Sequence, residues 1–314
     1  MSAIRKLVRF AKDSSFRFSI LTSRGFYNHL SDEVYLKKAF RLMTGRELNL
    51  EHPQTFNEKI QWLKLYDRKP IYTTMVDKYV AKAYVAERIG EQYIIPTLGV
   101  WDHFDEIDFD SLPNQFVLKC THDSGGLVIC RDKNEFDKKA AKKKIEKCIR
   151  RNYYWKGREW PYKDVKPRII AEKYVVDDLT SDGLTDYKIH CFGGIPKMIE
   201  VDFDRFTNHR RNMYDVNWNY IDLEICYPTD KNHFIERPKA LNEMMSVAAK
   251  LSEGLAYLRV DLYYTGSKVL FGELTFQHGS GYEYISPESY RYTLGSWIVL
   301  PIDSNTKADA ESIK

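Results

Sequence analysis

The chain has 314 residues, of which 43% are hydrophobic, 14% aromatic and 29% charged. That much apolar and aromatic material excludes a disordered chain and suffices for about two domains. The net charge is only +4, from 48 basic against 44 acidic residues, too small an excess to announce a nucleic-acid binder, and no stretch nears the roughly 18 apolar residues of a spanning helix.

The charge is unevenly placed. Residues 1–18 carry Arg5, Lys6, Arg9, Lys12 and Arg17 against Asp13, a net +4. With Ile4, Leu7, Val8 and Ala11 on one side, this segment reads as a basic amphipathic helix, either docked on the body or lying on an anionic membrane surface. It lacks the apolar run of a signal peptide. Residues 138–151 carry eight basic residues against Glu146, a net +7, so everything else sums to −7. This second segment reads as a solvated helix face or a polyanion site. The five cysteines form no CxxC pair, which argues against a zinc site or disulfide framework and for a reducing, cytoplasmic location.

Residues 30–90 read as helical. Thr55 and Glu58 have capping-box spacing ahead of Ile60, Trp62 and Leu63, and "DKYVAKAYVAERIG" ends at Gly90 as a helix stop. "YIIPTLGVW", "FVLKC", "LVIC" and "PRIIAEKYV" read as short strands around the basic helix. The second half is richer in strands, with a hairpin turning at Gly193-Gly194, a helix over about 238–254 and a hairpin turning at Thr265-Gly266-Ser267. The residues after Pro301 read as a polar tail. The whole indicates an α+β or α/β enzyme.

Four stretches carry chemistry. In "FVLKCTHDSGGLVIC", Lys119 and the flexible Gly125-Gly126 backbone suit a phosphate chain, although a plain Gly-Gly hairpin reads equally well. Asp261 and Glu273 lie on strands joined by a short turn, so pairing would bring two carboxylates face to face. Mg²⁺ between them, or a salt bridge to Arg259 or Lys268, would relieve the repulsion. Glu172 and Lys173 end an apolar strand able to offer backbone groups and a carboxylate to a purine. "DFDRFTNHRRNMYD" packs Arg205, His209, Arg210 and Arg211 together, either an anion-binding fork or a charged surface turn.

Taken with "FNEKIQWLKLYDR", "DKYVAKAYV", "GREWPY" and "DYKIHCFGG", these stretches resemble the ATP-grasp superfamily, specifically its polysaccharide-biosynthesis (teichuronopeptide-type, TupA-like) branch, over roughly residues 30–301. The resemblance implies an α+β ATP-grasp fold with a small lid subdomain and a larger antiparallel-sheet subdomain, preceded by a helical region. The corresponding segments are 1–29 (basic amphipathic), 30–111 (helical), 112–175 (lid), 176–302 (catalytic) and 303–314 (tail).

It further implies that Lys78 and Lys119 contact ATP phosphates, that His122, Ser124, Gly125 and Gly126 form a flap, and that Glu172, Lys173, Tyr174 and Val175 form the adenine hinge. Asp261 and Glu273 would ligate Mg²⁺, with Thr275 where many ATP-grasp enzymes have Asn. Lys119, Arg205, His209 and Arg211 would serve the chemistry. The implied activity joins a carboxylate of a uronic-acid-containing surface or capsular glycan, through an acyl phosphate, to a separate amine substrate. A glycosyltransferase is the alternative, with Asp202–Asp204 as the nearest DxD, and a non-catalytic nucleotide-binding protein is a third class. Expected partners are ATP, the glycan and the amine, without nucleic acid. Residues 1–18 are a candidate contact with the inner face of the membrane.

Overall fold

The computed structural model describes residues 3–176, 184–204 and 207–301. Four strands, β1 (Thr97–Trp101), β2 (Phe116–Cys120), β3 (Leu127–Cys130) and β4 (Ile169–Lys173), form an antiparallel sheet in the order β1-β4-β2-β3. A larger antiparallel sheet contains β5 (Asp186–Phe192), β6 (Ile195–Phe203), β7 (Arg210–Asp215) and β8 (Tyr220–Ile221). Between β8 and the next member lies β9 (Glu224–Ile225); β10 (Tyr257–Tyr264) and β11 (Val269–Thr275) then complete the sheet, ordered β11-β10-β5-β6-β7-β8. β9 pairs with β12 (Ile285–Ser286) as a separate ribbon.

The helices are α1 (Ala3–Lys12), α2 (Ser14–Ser23), α3 (Asp32–Thr44), α4 (Phe56–Tyr66), α5 (Ile71–Val76), α6 (Val80–Ile89), α7 (Lys138–Ile149), α8 (Tyr154–Gly157), α9 (Leu241–Ser252) and α10 (Ser289–Trp297). The α+β expectation holds. The smaller sheet begins at Thr97, within the "YIIPTLGVW" stretch read as a strand, and β1 pairs with β4. The tail at 303–314 lies outside the described residues.

Local signals act as the sequence indicates. Thr55 and Glu58 exchange hydrogen bonds at the start of α4, Glu58 N–H to Thr55 Oγ1 at 3.3 Å and Thr55 N–H to Glu58 Oε2 at 2.9 Å. Such a cap stabilises by about 1 kcal/mol. Gly90 ends α6 with φ +108°, and Gly193 and Gly194 turn β5 into β6 with φ of +58° and +79°. In α7, Ala141, Ile145 and Cys148 are buried against Phe104, Phe109 and Phe116 in the core beside the smaller sheet. Its lysines point outward, Lys142 to Asp105 at 2.6 Å, so α7 is a docked helix with a solvated face.

The basic N-terminal segment is two helices, not one. Asp13 ends the first and caps the second, accepting from Phe16 N–H at 2.8 Å. α2 buries Phe18 against Tyr35, Leu36 and Phe40.

The larger sheet has two unlike faces, because side chains alternate along a strand. One carries Ile189, Cys191, Ile199, Val201, Leu258, Val260 and Leu262, covered by Met244, Val247, Ala248 and Leu251 of α9 and by α5 and α6. Fully burying each such side chain stabilises the fold by about 1.5–3 kcal/mol. The other face is apolar only at one end, where Phe192, Met198, Met213 and Tyr257 meet Phe56, Ile60 and Leu63 of α4. The rest of that face is charged.

Candidate functional site

The charged face follows from strand register. Glu273 on β11 is opposite Asp261 on β10, Asp261 is opposite Lys188 on β5, and Lys188 is opposite Glu200 on β6. A second row sets Thr275 opposite Arg259 and Arg259 opposite His190. Beyond Glu200, Asp202 pairs with Arg211 on β7. The turn at Gly266 therefore brings Asp261 and Glu273 face to face, as their spacing predicts.

Arg259 bridges the pair. It donates to both oxygens of Asp261, from Nε at 2.7 Å and Nη2 at 2.6 Å, and Nη2 lies 3.3 Å from Glu273 Oε1. Thr275 Oγ1 also donates to Glu273 Oε1, at 3.4 Å. The salt bridge to Arg259 that the sequence allows is therefore present. Burial pushes Asp261 up to about 7; Arg259 opposes the rise, while Asp186 and Glu273 add to it. Burial also resists ionisation of Glu273, but Lys78 and Arg259 outweigh it and lower its pKa. Two carboxylates in register beside a threonine hydroxyl form a hard oxygen donor set that fits Mg²⁺. The raised value at Asp261 marks a place where further positive charge is favourable.

Lys78, in the turn between α5 and α6, links this face to the smaller sheet. Its Nζ donates to Asp123 O at 2.9 Å, in the loop between β2 and β3, and lies 3.5 Å from Glu273 Oε2. Tyr263 lies electrostatically between the sheets. Its pKa is raised by burial first, then by Asp186, Glu273 and Asp261 of one sheet and Glu172 of the other.

Glu172 differs from expectation. Instead of offering a carboxylate to a purine, it is clamped between Lys119 and Lys82, each 2.5 Å away. Burial works against its ionisation, and the two lysines overcome it. The clamp keeps Lys119 on the surface where β2 and β4 pair. Lys173, exposed, and Tyr174 and Val175, half-buried, continue past β4; Lys173 N–H donates to Pro96 O at 3.0 Å.

The glycine loop is also only partly as expected. Ser124 and Gly125 are exposed at its tip, Gly125 with φ +115°. Gly126 is buried, where an added Cβ would meet Cys120 Sγ at 2.5 Å. The His122 ring is turned away from the tip and buried, with Nε2 2.9 Å from Arg151 O and 3.2 Å from Cys148 O at the end of α7. It anchors the loop's base, so its expected place in the flap needs correcting.

The arginine cluster divides. Arg205 lies outside the described residues. Arg211 is buried and committed to Asp202 at 2.7 Å and Glu200 at 2.9 Å, which corrects its assignment as a free anion fork. His209 Nε2 lies 3.1 Å from Asp202 Oδ1, and the ring stacks on Tyr227 at 3.7 Å. Asp202 therefore serves Lys188, Arg211 and His209; burial opposes its charge, and Lys188 and Arg211 hold its pKa far below the usual range.

Several residues of this face were missed in the sequence: Lys82, Lys188, His190, Glu200 and His278. For the strand residues a signal existed. "DYKIHCF" alternates polar Asp186, Lys188 and His190 with apolar Tyr187, Ile189 and Cys191, and an alternation in which the polar side is also buried marks a site. His190, Glu200 and His278 bring ligand atoms within 4.8 Å of one another. Arg259 Nη1, however, donates to His278 Nδ1 at 2.7 Å, which places the ring proton on Nε2 and blocks the position a metal would take. Glu200 takes its hydrogen bond from His190 Nε2 at 3.2 Å, with His278 Nε2 3.6 Å away.

α4 positions the loop that follows β11. Asn57, Gln61 and Lys64, on one side of the helix, donate to the carbonyls of Gly281 and Glu283, of Ser280 and Gly281, and of Gly157 and Ser280, respectively. That loop carries His278 and Glu283, whose Nε2 and Oε2 lie 2.9 Å apart.

The sequence pattern of one family, described as TupA-like ATPgrasp, matches residues 58–299. Among solved structures, a D-alanine–D-alanine ligase from Bacillus anthracis is similar at 17% identity, with 95% of this chain and 96% of that chain covered and a TM-score of 0.43. The Bacillus anthracis ligase complexed with ATP aligns at 16% identity over 76% of this chain and 68% of that one, with a TM-score of 0.41. An N5-carboxyaminoimidazole synthetase from Staphylococcus aureus complexed with ADP aligns at 13% identity over 77% and 59% of the two chains, with a TM-score of 0.42. No curated protein matches the chain by sequence.

Proposed function

The chain belongs to the TupA-like ATP-grasp family, and from that premise we propose that it is an ATP-dependent carboxylate–amine ligase. Its acceptor is a surface or capsular polysaccharide precursor bearing a uronic acid, on which it forms an amide. The observation that carries the reading is the register of Asp261 and Glu273 beneath Arg259, with Lys78, in the turn between α5 and α6, reaching both Glu273 and the loop between β2 and β3. Buried acids and fixed cations arranged on one face are what phosphoryl transfer requires.

In this reading ATP lies between the two sheets, and the division into residues 112–175 as lid and 176–302 as catalytic subdomain follows. Lys78 and Lys119 meet phosphate oxygens, the backbone of Ser124, Gly125 and Gly126 covers them, and the chain from Glu172 to Val175 borders the adenine. Asp261 and Glu273, with the Thr275 hydroxyl, would hold Mg²⁺, which supplies charge neutralisation to the triphosphate. A substrate carboxylate oxygen attacks the γ-phosphorus and ADP leaves. The amine nitrogen then attacks the acyl carbon, inorganic phosphate leaves, and the amine gives up a proton. Arg259 supplies permanent positive charge beside the transferring group. His209, held by Asp202 through Nε2, is placed to take the proton on Nδ1, and Arg205 lies close in sequence. Closing the glycine loop would keep water from the acyl phosphate.

The glycosyltransferase alternative needs Asp202 as a metal ligand, and that carboxylate is already engaged by Lys188 and Arg211, with the His209 ring beside it. Five unpaired cysteines and a need for ATP suit the cytoplasm.

The experiment is to measure ADP and phosphate release with a uronic acid and an amine supplied separately and together, with hydroxylamine as a substitute amine. Release that requires both, and a hydroxamate with hydroxylamine, supports the reading. Consumption of a nucleotide sugar without ATP overturns it.

A further inference from the structure

α1 stands apart from the packed body. Among the described residues, its side chains from Arg5 to Arg9 are all exposed, with Leu7 at 70% and Val8 at 49%. On a helical wheel Leu7, Val8 and Ala11 occupy one arc, and Arg5, Lys6, Arg9 and Lys12 fill the opposite side. The helix is held by its end and not by its apolar arc: Arg17 Nη1 donates to the carbonyls of Phe10 and Ala11, at 3.0 and 2.9 Å, and Arg9 lies over the Phe16 ring. Leaving Leu7 and Val8 in water is unfavourable, and a core helix would turn that arc inward.

We propose that α1 is a docking surface for an anionic lipid bilayer, lying in the interface with Leu7, Val8 and Ala11 among the acyl chains and Lys6 and Lys12 at headgroup phosphates. The occupant follows from charge and shape together. Basic side chains flanking an exposed apolar arc match a surface that is negative outside and apolar just beneath. A soluble polyanion would use the lysines and leave Leu7 exposed. A second copy of this chain would set four basic residues of one α1 against four of another. No helix among the described residues is long and apolar enough to cross a membrane, so the contact is peripheral. The proposal is independent of the ligase reading, and its test uses no nucleotide.

The full-length chain is floated with vesicles of phosphatidylcholine containing 30% phosphatidylglycerol, and with pure phosphatidylcholine. We expect binding to the anionic vesicles only, weakened at least about tenfold by Leu7→Asp with Val8→Asp, and similarly by Lys6→Glu with Lys12→Glu or by 0.5 M salt. Both double variants change exposed positions, and an unaltered melting temperature checks the fold. Four outcomes would overturn the proposal: no flotation of the unmodified chain; undiminished flotation of the Leu7/Val8 variant; retention on a soluble polyanion such as polyglutamate as strong as on vesicles; or a dimer in solution that the Leu7/Val8 variant dissociates.

Discussion

Arg259 grips Asp261, two residues further along the same face of β10, through two guanidinium nitrogens at 2.7 and 2.6 Å. Both side chains are at least nine-tenths buried, so neither is cheaply left alone. Removing one partner of a buried pair typically costs about 3–5 kcal/mol, because the other charge stays without compensation. Arg259→Met is therefore expected to lower the unfolding free energy measured by urea denaturation by about 3–5 kcal/mol. Arg259→Met combined with Asp261→Asn should recover part of it. A single variant as stable as the parent would show that the pair contributes little to the fold.

Glu273 offers a cleaner test of chemistry than Asp261. Its side chain is 37% exposed, and glutamine keeps an acceptor for Arg259 and Thr275 while removing the charge. Glu273→Gln should leave stability within about 1 kcal/mol. ATP turnover should fall by about 10²–10³-fold, the scale of losing one electrostatic element of an active site. Mg²⁺ titration of turnover in parent and variant checks the assignment; an unchanged Mg²⁺ requirement would remove Glu273 from the metal site.

Much of this face was legible in the sequence, and the reasons for the remainder are physical. Asp261 and Glu273 could be matched because a turn at Gly266 leaves few registers open. The spacing of Arg259 and Asp261 puts them on one side of a strand, but it cannot say whether an acid's partner is a neighbour or an ion. Glu172 and Lys82 are ninety residues apart and meet only because β1 pairs with β4, a non-local event with no local signature. The break between α1 and α2 was visible in Asp13, a helix-capping residue. The strong amphipathic pattern around it drew the reading toward one continuous helix.

Lys82 and Lys119 hold the same carboxylate but should fail differently. Lys82 Nζ also donates to Ile95 O at 2.7 Å and Thr97 Oγ1 at 2.9 Å, tying α6 to β1. Lys82→Met should destabilise the fold by several kcal/mol, about the cost of breaking a buried ion pair. In Lys119→Met, Glu172 keeps Lys82, so the stability loss should be smaller while the KM for ATP rises. Urea denaturation and ATP titration of both variants separate the two roles. Equal stability losses would show that Lys119 is a structural partner only.

His190 gives the fold a defined acid weakness. Burial lowers its pKa from 6.5 to about 4, with Glu200 opposing and His278 and Arg259 adding to the shift. The unfolded chain therefore binds the proton first. Its contribution to stability is complete above pH 6.5 and is lost as pH falls toward 4. At 1.36 kcal/mol per pH unit the loss is about 3 kcal/mol. Gln can still donate toward Glu200 and accept from Tyr257, so His190→Gln should flatten the decline between pH 6.5 and 4. Parallel declines in parent and variant would place the acid sensitivity elsewhere.

Lys64 connects α4 to the loop after β11. Its Nζ donates to Gly157 O at 2.8 Å, Ser280 O at 2.7 Å and Ser280 Oγ at 3.0 Å, which uses all three ammonium hydrogens. Glu159, also buried, is its charge partner. Ser280 has a φ of +53°, a conformation unfavourable for a residue with a Cβ and held here by the groups around it. Lys64→Met should leave the Gly157 carbonyl without this donor and the buried Glu159 without its counter-charge, at a cost of about 3–5 kcal/mol. Lys64→Met with Glu159→Gln should recover part of this by removing the stranded charge. The same loop carries His278, which meets Arg259, and Glu283. Turnover in the double variant should therefore stay below the parent's even where the fold has recovered. Hydrogen exchange over residues 278–283 checks the link: faster exchange there with little change in the β5–β6 hairpin would show that Lys64 acts on the loop, whereas uniform acceleration would make it a general core residue.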